Sequence, residues 1–149
     1  MLHHKKLDWP KVPQEIEEEC INYATVARTQ WIEAKSDNNI GYSQFDVPNS
    51  LKTWVKENIP LPHHYTVILQ QYHRVTGGNK HIDKIRTETH NYLLLPNNAI
   101  TAWYNPSGQL IERVQYKIRE WYWHDSSTTH QVTNIDSTRL AISVYESII

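Results

Sequence analysis

With 149 residues, 39% of them hydrophobic and 21% charged, the chain has the length and composition of one globular domain. Its net charge is −1, its basic residues are scattered, and Lys5-Lys6 is too short to make a patch, so nothing electrostatic calls for nucleic acid or an acidic membrane as partner. Cys20 is the single cysteine, which excludes an internal disulfide, and residues 1–6 lead into no apolar run that would serve as a signal peptide or membrane span; a cytoplasmic protein is the expectation.

In chain order, residues 1–62 carry helix cues and residues 63–149 carry strand cues. Pro13-Gln14 opens a first helix in which acids crowd the first turn, where the helix dipole favours them, and Ile16, Cys20 and Tyr23 fall on one face. That spacing makes Cys20 a core residue rather than a catalytic thiol. Residues 36–48 read as irregular. Asn49-Ser50 then offers an N-cap for a second helix over 51–58, with Leu51, Trp54 and Val55 as its buried stripe, and Pro60 and Pro62 stop it.

From residue 65 onward eight strands are predicted, at 65–72, 80–82, 91–95, 100–104, 110–115, 120–124, 130–134 and 140–145. They are separated by turn formers at 77–79, 96–98, 105–108, 125–129 and 134–138. The six Trp and nine Tyr against one Phe fit half-buried sheet faces. Eight short strands with no helical pattern between them predict a mainly β domain, a double-stranded β-helix or cupin-like jelly roll, with the two N-terminal helices packed on it.

One constellation on this framework carries chemistry. His81 ends the second predicted strand and Asp83 begins the loop after it; residues two apart on a strand share a face. His130 opens the seventh strand, which in a jelly roll lies beside the second. Two imidazoles and one carboxylate fill one face of an octahedral iron and leave three positions for small molecules. Arg139, nine positions after His130 at the start of the eighth strand, offers a guanidinium fork for the far carboxylate of a keto acid on that iron. Tyr72 or Thr101 would add a hydrogen bond to the same group. Asp125 or Asn134 would orient the histidines, or else only cap turns and strand ends. His73, His90 and His124 read equally well as satisfied core histidines, and His63-His64 as loop residues.

The stretch Trp123-His124-Asp125-Ser126-Ser127-Thr128-Thr129-His130-Gln131-Val132-Thr133-Asn134 resembles a signature of the aspartyl/asparaginyl β-hydroxylase family of Fe(II)/2-oxoglutarate oxygenases, Phe-Asp-Asp-Ser-x-x-His-x-Val-x-Asn before a later arginine. Asp125, Ser127, His130, Val132 and Asn134 match; His124 stands for the phenylalanine and Ser126 for the second aspartate. The resemblance implies a double-stranded β-helix, Fe(II), and 2-oxoglutarate as co-substrate. Members of that family often lack an acidic ligand after the first histidine, whereas this chain has Asp83, as the wider superfamily does. The family also places a second arginine nine residues after the first ligand; that position is His90 here, with Arg86 nearby, and either would assist in holding the co-substrate.

The expectation is therefore a dioxygen-consuming hydroxylase of a small or peptidyl substrate, with His81, Asp83 and His130 as metal ligands. Two other readings remain open: a cupin-like metalloenzyme that does not use 2-oxoglutarate, and a non-enzymatic jelly-roll binding or structural module in which the 121–123 aromatic run lines an interface. Substrate identity and oligomeric state leave no mark in the sequence.

Overall fold

The computed structural model describes residues 2–31, 42–61, 64–72, 80–83 and 86–146. The elements are β1 (His4–Leu7), α1 (Gln14–Trp31), β2 (Tyr42–Phe45), α2 (Asn49–Asn58), β3 (Thr66–Tyr72), β4 (Glu88–Leu93), β5 (Ile100–Tyr104), β6 (Leu110–Val114), β7 (Trp121–Asp125), β8 (His130–Thr133) and β9 (Arg139–Tyr145). Seven of the eight predicted strands are present within a few residues. The eighth, at 80–82, contracts to a single antiparallel bridge between His81 and His130. The predicted turn at 77–79, along with Pro62, His63 and His73, lies outside the described residues.

All strand pairs are antiparallel. A six-stranded sheet runs β1-β7-β4-β9-β3-β2 and a three-stranded sheet runs β6-β5-β8. Two strands were not anticipated. The polar segment His4–Leu7 becomes β1, paired with β7, and Tyr42–Phe45, inside the stretch read as irregular, becomes β2, paired with β3. Both are edge strands of four residues, too short to show a period of two.

The large sheet is covered on both faces. Its outer face presents Val67, Leu69, Tyr92, Trp121, Leu140, Ile142 and Val144 to Cys20, Ala24, Leu51 and Val55 of the helices. Its inner face presents Leu93, Tyr122 and Ala141 to Trp103 of the small sheet. Burial of β9 on both faces explains its apolar run from Leu140 to Val144, interrupted only by Ser143.

Helix α1 starts where Pro13 offers its carbonyl to the Ile16 and Glu17 amides, at 3.0 Å each. Its buried face is Glu17, Cys20 and Ala24, and Tyr23, expected on that face, is 41% exposed. Glu17 takes the inward place because the Tyr92 hydroxyl and the Arg119 guanidinium, 3.0 Å away, satisfy its carboxylate. Cys20 is fully buried, and burial, with Glu19 and Glu17 nearby, pushes its thiol up to about 12, which removes it as a nucleophile at neutral pH. Helix α2 begins two residues earlier than expected. Its cap is the Pro48 carbonyl, since Ser50 is engaged with Glu19 at 2.7 Å. Leu51 and Val55 are buried as predicted, with Trp54 half-buried beside them. Among the described residues no helix is long and apolar enough to cross a membrane.

Candidate metal centre

His81, Asp83 and His130 come together at the open edge of the small sheet. Their backbones are joined first: the His81 amide donates to the His130 carbonyl at 3.0 Å and the His130 amide to the His81 carbonyl at 2.9 Å. This reciprocal pair puts two residues 49 positions apart directly opposite each other. The Asp83 amide donates to the Ser126 carbonyl at 3.1 Å, which anchors the third residue. One ligand atom from each of the three side chains lies within 4.8 Å of the others. Asp83 Oδ1 is 3.3 Å from His81 Nε2 and 3.9 Å from His130 Nε2.

Adjacent donors on an octahedral ion with bonds of about 2.1 Å sit roughly 3 Å apart, so this spacing suits a shared ion after a small contraction. The protonation states suit it as well. The Thr128 carbonyl accepts the His130 Nδ1–H at 2.8 Å, which leaves Nε2 as the free lone pair facing Asp83. Burial pulls the His130 pKa down, and so does the neighbouring His81; together they outweigh the Thr128 bond and keep the ring neutral. For Asp83, burial opposes ionisation, but hydrogen bonding to His81 and the Arg86 guanidinium prevail and hold the carboxyl well below the usual carboxylate range. The two carboxylate oxygens are divided: Oδ1 faces the histidines and Oδ2 accepts from Arg86 Nε at 2.8 Å.

The other expected site residues separate into two groups. Tyr72, Thr101 and Arg139 stand on inward-facing positions. Arg139 is 3% exposed and opposite Tyr72 in register, with its guanidinium carbon 5.8 Å from that ring. Buried Thr101 is the partner of Val132 on β5, on the same side of the small sheet as Trp103 and His130. Arg86 is buried against the Tyr145 ring at 4.5 Å, and its Nη1 finds no acceptor among the described residues.

His90, by contrast, lies on the outer face of the large sheet. It pairs with Trp123, stacks near Trp9 at 4.8 Å, and donates to the Val144 carbonyl at 3.2 Å. Burial lowers its pKa against that bond. It is a half-buried histidine on the helix side of the sheet and does not face the cluster. Asn134, in a left-handed turn at φ 59°, caps the strand end by donating to the Asn98 carbonyl.

Trp103 left no readable signal in the sequence, and the partners of His124 and Asp125 could not be read from it. Trp103 is fully buried, donates Nε1 to the Asp125 carbonyl at 2.9 Å, and carries His3, His4 and His124 against its ring at 6.0, 5.7 and 5.0 Å. His124 is buried and held neutral chiefly by desolvation, with its ring edge-on to His130 at 4.9 Å and its Nδ1 3.1 Å from the Tyr116 hydroxyl. Asp125 is engaged by its own turn and by His3. It accepts from Ser127 N (2.9 Å), Ser127 Oγ (2.6 Å), Thr128 Oγ1 (2.6 Å) and His3 Nδ1 (2.7 Å).

Burial again disfavours the Asp125 charge, but the Ser127, Thr128 and His3 bonds outweigh it and keep the carboxyl well below its ordinary range. A depressed carboxylate stabilises the fold above its unfolded pKa of about 3.9 and loses that contribution as pH falls through the folded value. Asp125→Asn is therefore expected to unfold about 2 kcal/mol more easily than the native chain at pH 7. The gap should narrow below pH ~4, which denaturant titrations across pH would record.

No protein-family profile and no curated protein matches the sequence. Among the solved structures that share its fold are three prolyl hydroxylases. The enzyme from Trichoplax adhaerens, in complex with a hypoxia inducible factor oxygen degradation domain peptide fragment, superposes with a TM-score of 0.67 at 14% identity over 97% of this chain and 83% of its own. A Pseudomonas putida prolyl-4-hydroxylase gives 0.60 at 10% identity over 97% and 92% of the two chains. The viral collagen prolyl hydroxylase from Paramecium Bursaria Chlorella virus-1, as its 2OG complex, gives 0.55 at 13% identity over 99% and 97%. Identities this low establish a common fold. The likeness to aspartyl/asparaginyl β-hydroxylases rests on residues 123–134 alone.

Proposed function

We propose that this chain is an Fe(II)- and 2-oxoglutarate-dependent dioxygenase that hydroxylates a small or peptidyl substrate, built as one double-stranded β-helix domain with residues 1–62 wrapped on the 63–149 core. The observation that carries this reading is the convergence of His81, Asp83 and His130 on one point, with Asp83 ionised and His130 neutral as a divalent cation requires. The shared fold with prolyl hydroxylases supports the oxygenase class, and the peptide bound by one of them favours a peptidyl substrate.

In this reading His81 Nε2, Asp83 Oδ1 and His130 Nε2 hold the iron. Arg139 pairs with the distal carboxylate of 2-oxoglutarate, with Tyr72 and Thr101 on the same inward surface. With both groups bound, the iron supplies the oxidising chemistry: dioxygen is consumed, the keto acid becomes succinate and CO2, and one oxygen atom enters a substrate C–H bond. The chain itself supplies orientation and dryness. Thr128 holds the His130 ring, Arg86 holds the outer oxygen of Asp83, and Trp103 with His124 fills the space behind the ligands. The spare Nη1 of Arg86 would offer a bound keto acid a second guanidinium donor.

Protein loaded anaerobically with Fe(II) should release succinate from 2-oxoglutarate when oxygen is admitted. Arg139→Ala should bind Mn(II) as the native chain does but N-oxalylglycine about 10–100-fold more weakly, the loss of a charge-assisted fork. If the native, metal-loaded chain shows no affinity for either keto acid, 2-oxoglutarate drops out of the assignment.

A further inference from the structure

The turn after β7 does more than connect two strands. Its Ser126 carbonyl receives the Asp83 amide at 3.1 Å, and its Thr128 carbonyl receives His130 Nδ1 at 2.8 Å. Two of the three candidate ligands are thus held by the backbone of residues 126–128. The conformation of that backbone is in turn fixed by the Asp125 carboxylate, through Ser127 N, Ser127 Oγ and Thr128 Oγ1. Among the described residues one donor reaches Asp125 from outside the turn: His3 Nδ1, at 2.7 Å.

His3 is itself held at three points. Its ring binds Asp125, its carbonyl accepts the Asp125 amide at 2.8 Å, and its amide donates to Glu112 Oε2 at 2.9 Å. It is 7% exposed, although it stands three residues from the start of the sequence. His4, beside it, provides an internal contrast. It opens the edge strand β1 immediately after His3 and stacks on the same Trp103, yet it bonds Glu112 and not Asp125.

We propose that His3 is a positioning residue of the metal centre: through Asp125 and the 126–128 turn it fixes the Thr128 carbonyl that orients His130 and the Ser126 carbonyl that anchors Asp83. The proposal rests on the metal reading of His81, Asp83 and His130, and extends that site to the N-terminal strand.

The test is metal binding by metal-free protein, read by water-proton relaxation with Mn(II) and by the visible absorption of the Co(II) form. His3→Ala should weaken Mn(II) about tenfold and shift the Co(II) bands, at the lower end of what outer partners contribute. His3→Asn, whose amide nitrogen takes the place of Nδ1, should return the affinity to within about threefold of native. His4→Ala should leave affinity and spectrum as they are. Thr128→Val cuts the same relay at its other end and should act like His3→Ala, which decides the matter if His3→Ala does not fold. Native affinity and spectrum in His3→Ala, an equal loss in His4→Ala, or no effect of Thr128→Val would each overturn the proposal. If the native chain takes up neither Mn(II) nor Co(II), the metal reading itself fails and the positioning role falls with it.

Discussion

Asp83→Ala is expected to abolish Fe(II) binding and any 2-oxoglutarate turnover, and His81→Ala to do the same. Each removes one of the three proposed protein donors, so the remaining pair no longer defines a face of the ion. The aspartate carries a second burden. It is the acceptor for Arg86 Nε, and Arg86 is buried with Nη1 already lacking a partner among the described residues. Deleting the carboxylate strands a buried cation, at a cost of about 3–5 kcal/mol in folding stability. Asp83→Asn keeps the shape and one acceptor oxygen, so it should lose the metal while retaining more of the fold. Titration calorimetry with Fe(II) under nitrogen and a succinate assay measure the first effect, and thermal denaturation of the metal-free chains measures the second. Unchanged turnover in either ligand variant would remove the assignment.

Trp103→Ala is expected to have the largest effect on stability of any single core change. The side chain is fully buried where the two sheets face each other. Its removal opens a cavity, frees the Asp125 carbonyl it caps, and unstacks His3, His4 and His124 together. Large aromatic truncations cost about 3–5 kcal/mol. At about 2–4 °C per kcal/mol for a domain of this size, the melting temperature should fall by roughly 6–20 °C. Trp103→Phe retains the stacking surface and loses the hydrogen bond, so it should cost only about 1–2 kcal/mol. A Trp103→Ala variant that melts with the native protein would mean that the two sheets do not pack through this ring. Because Trp103 is also the cross-strand partner of His130, metal affinity should fall with stability in Trp103→Ala and hold in Trp103→Phe.

The legible parts of this molecule are those governed by short-range periodicity. Strands β3, β5, β7 and β9 announce themselves through β-branched and aromatic residues between Pro, Asn and Gly breaks, α1 through its acid-rich start and α2 through its polar start at Asn49-Ser50, both with apolar spacing. The His-x-Asp triplet, the distant histidine and the later arginine were legible for the same reason, since their chemistry is written in residue type and order. His90 shows where counting stops. Its distance from His81 crosses a loop, and a loop resets which face of the next strand is odd and which is even, so a position nine residues on landed on the helix side of the sheet. Arg86, close in sequence to Asp83, needed no such parity and reached it directly.

What the sequence alone determined is a mainly β chain with two helices before it, and a set of side chains of the types proposed to hold one divalent ion and one dicarboxylate. Only the tertiary structure decided which of those side chains meet, because convergence depends on sheet order and register, and these are set by pairings between residues far apart in the chain. It also decided what holds them. The edge strand β1 carries no pattern of its own and pairs only because β7 offers it a free edge, and that pairing brings His3 to Asp125, beside the candidate metal centre.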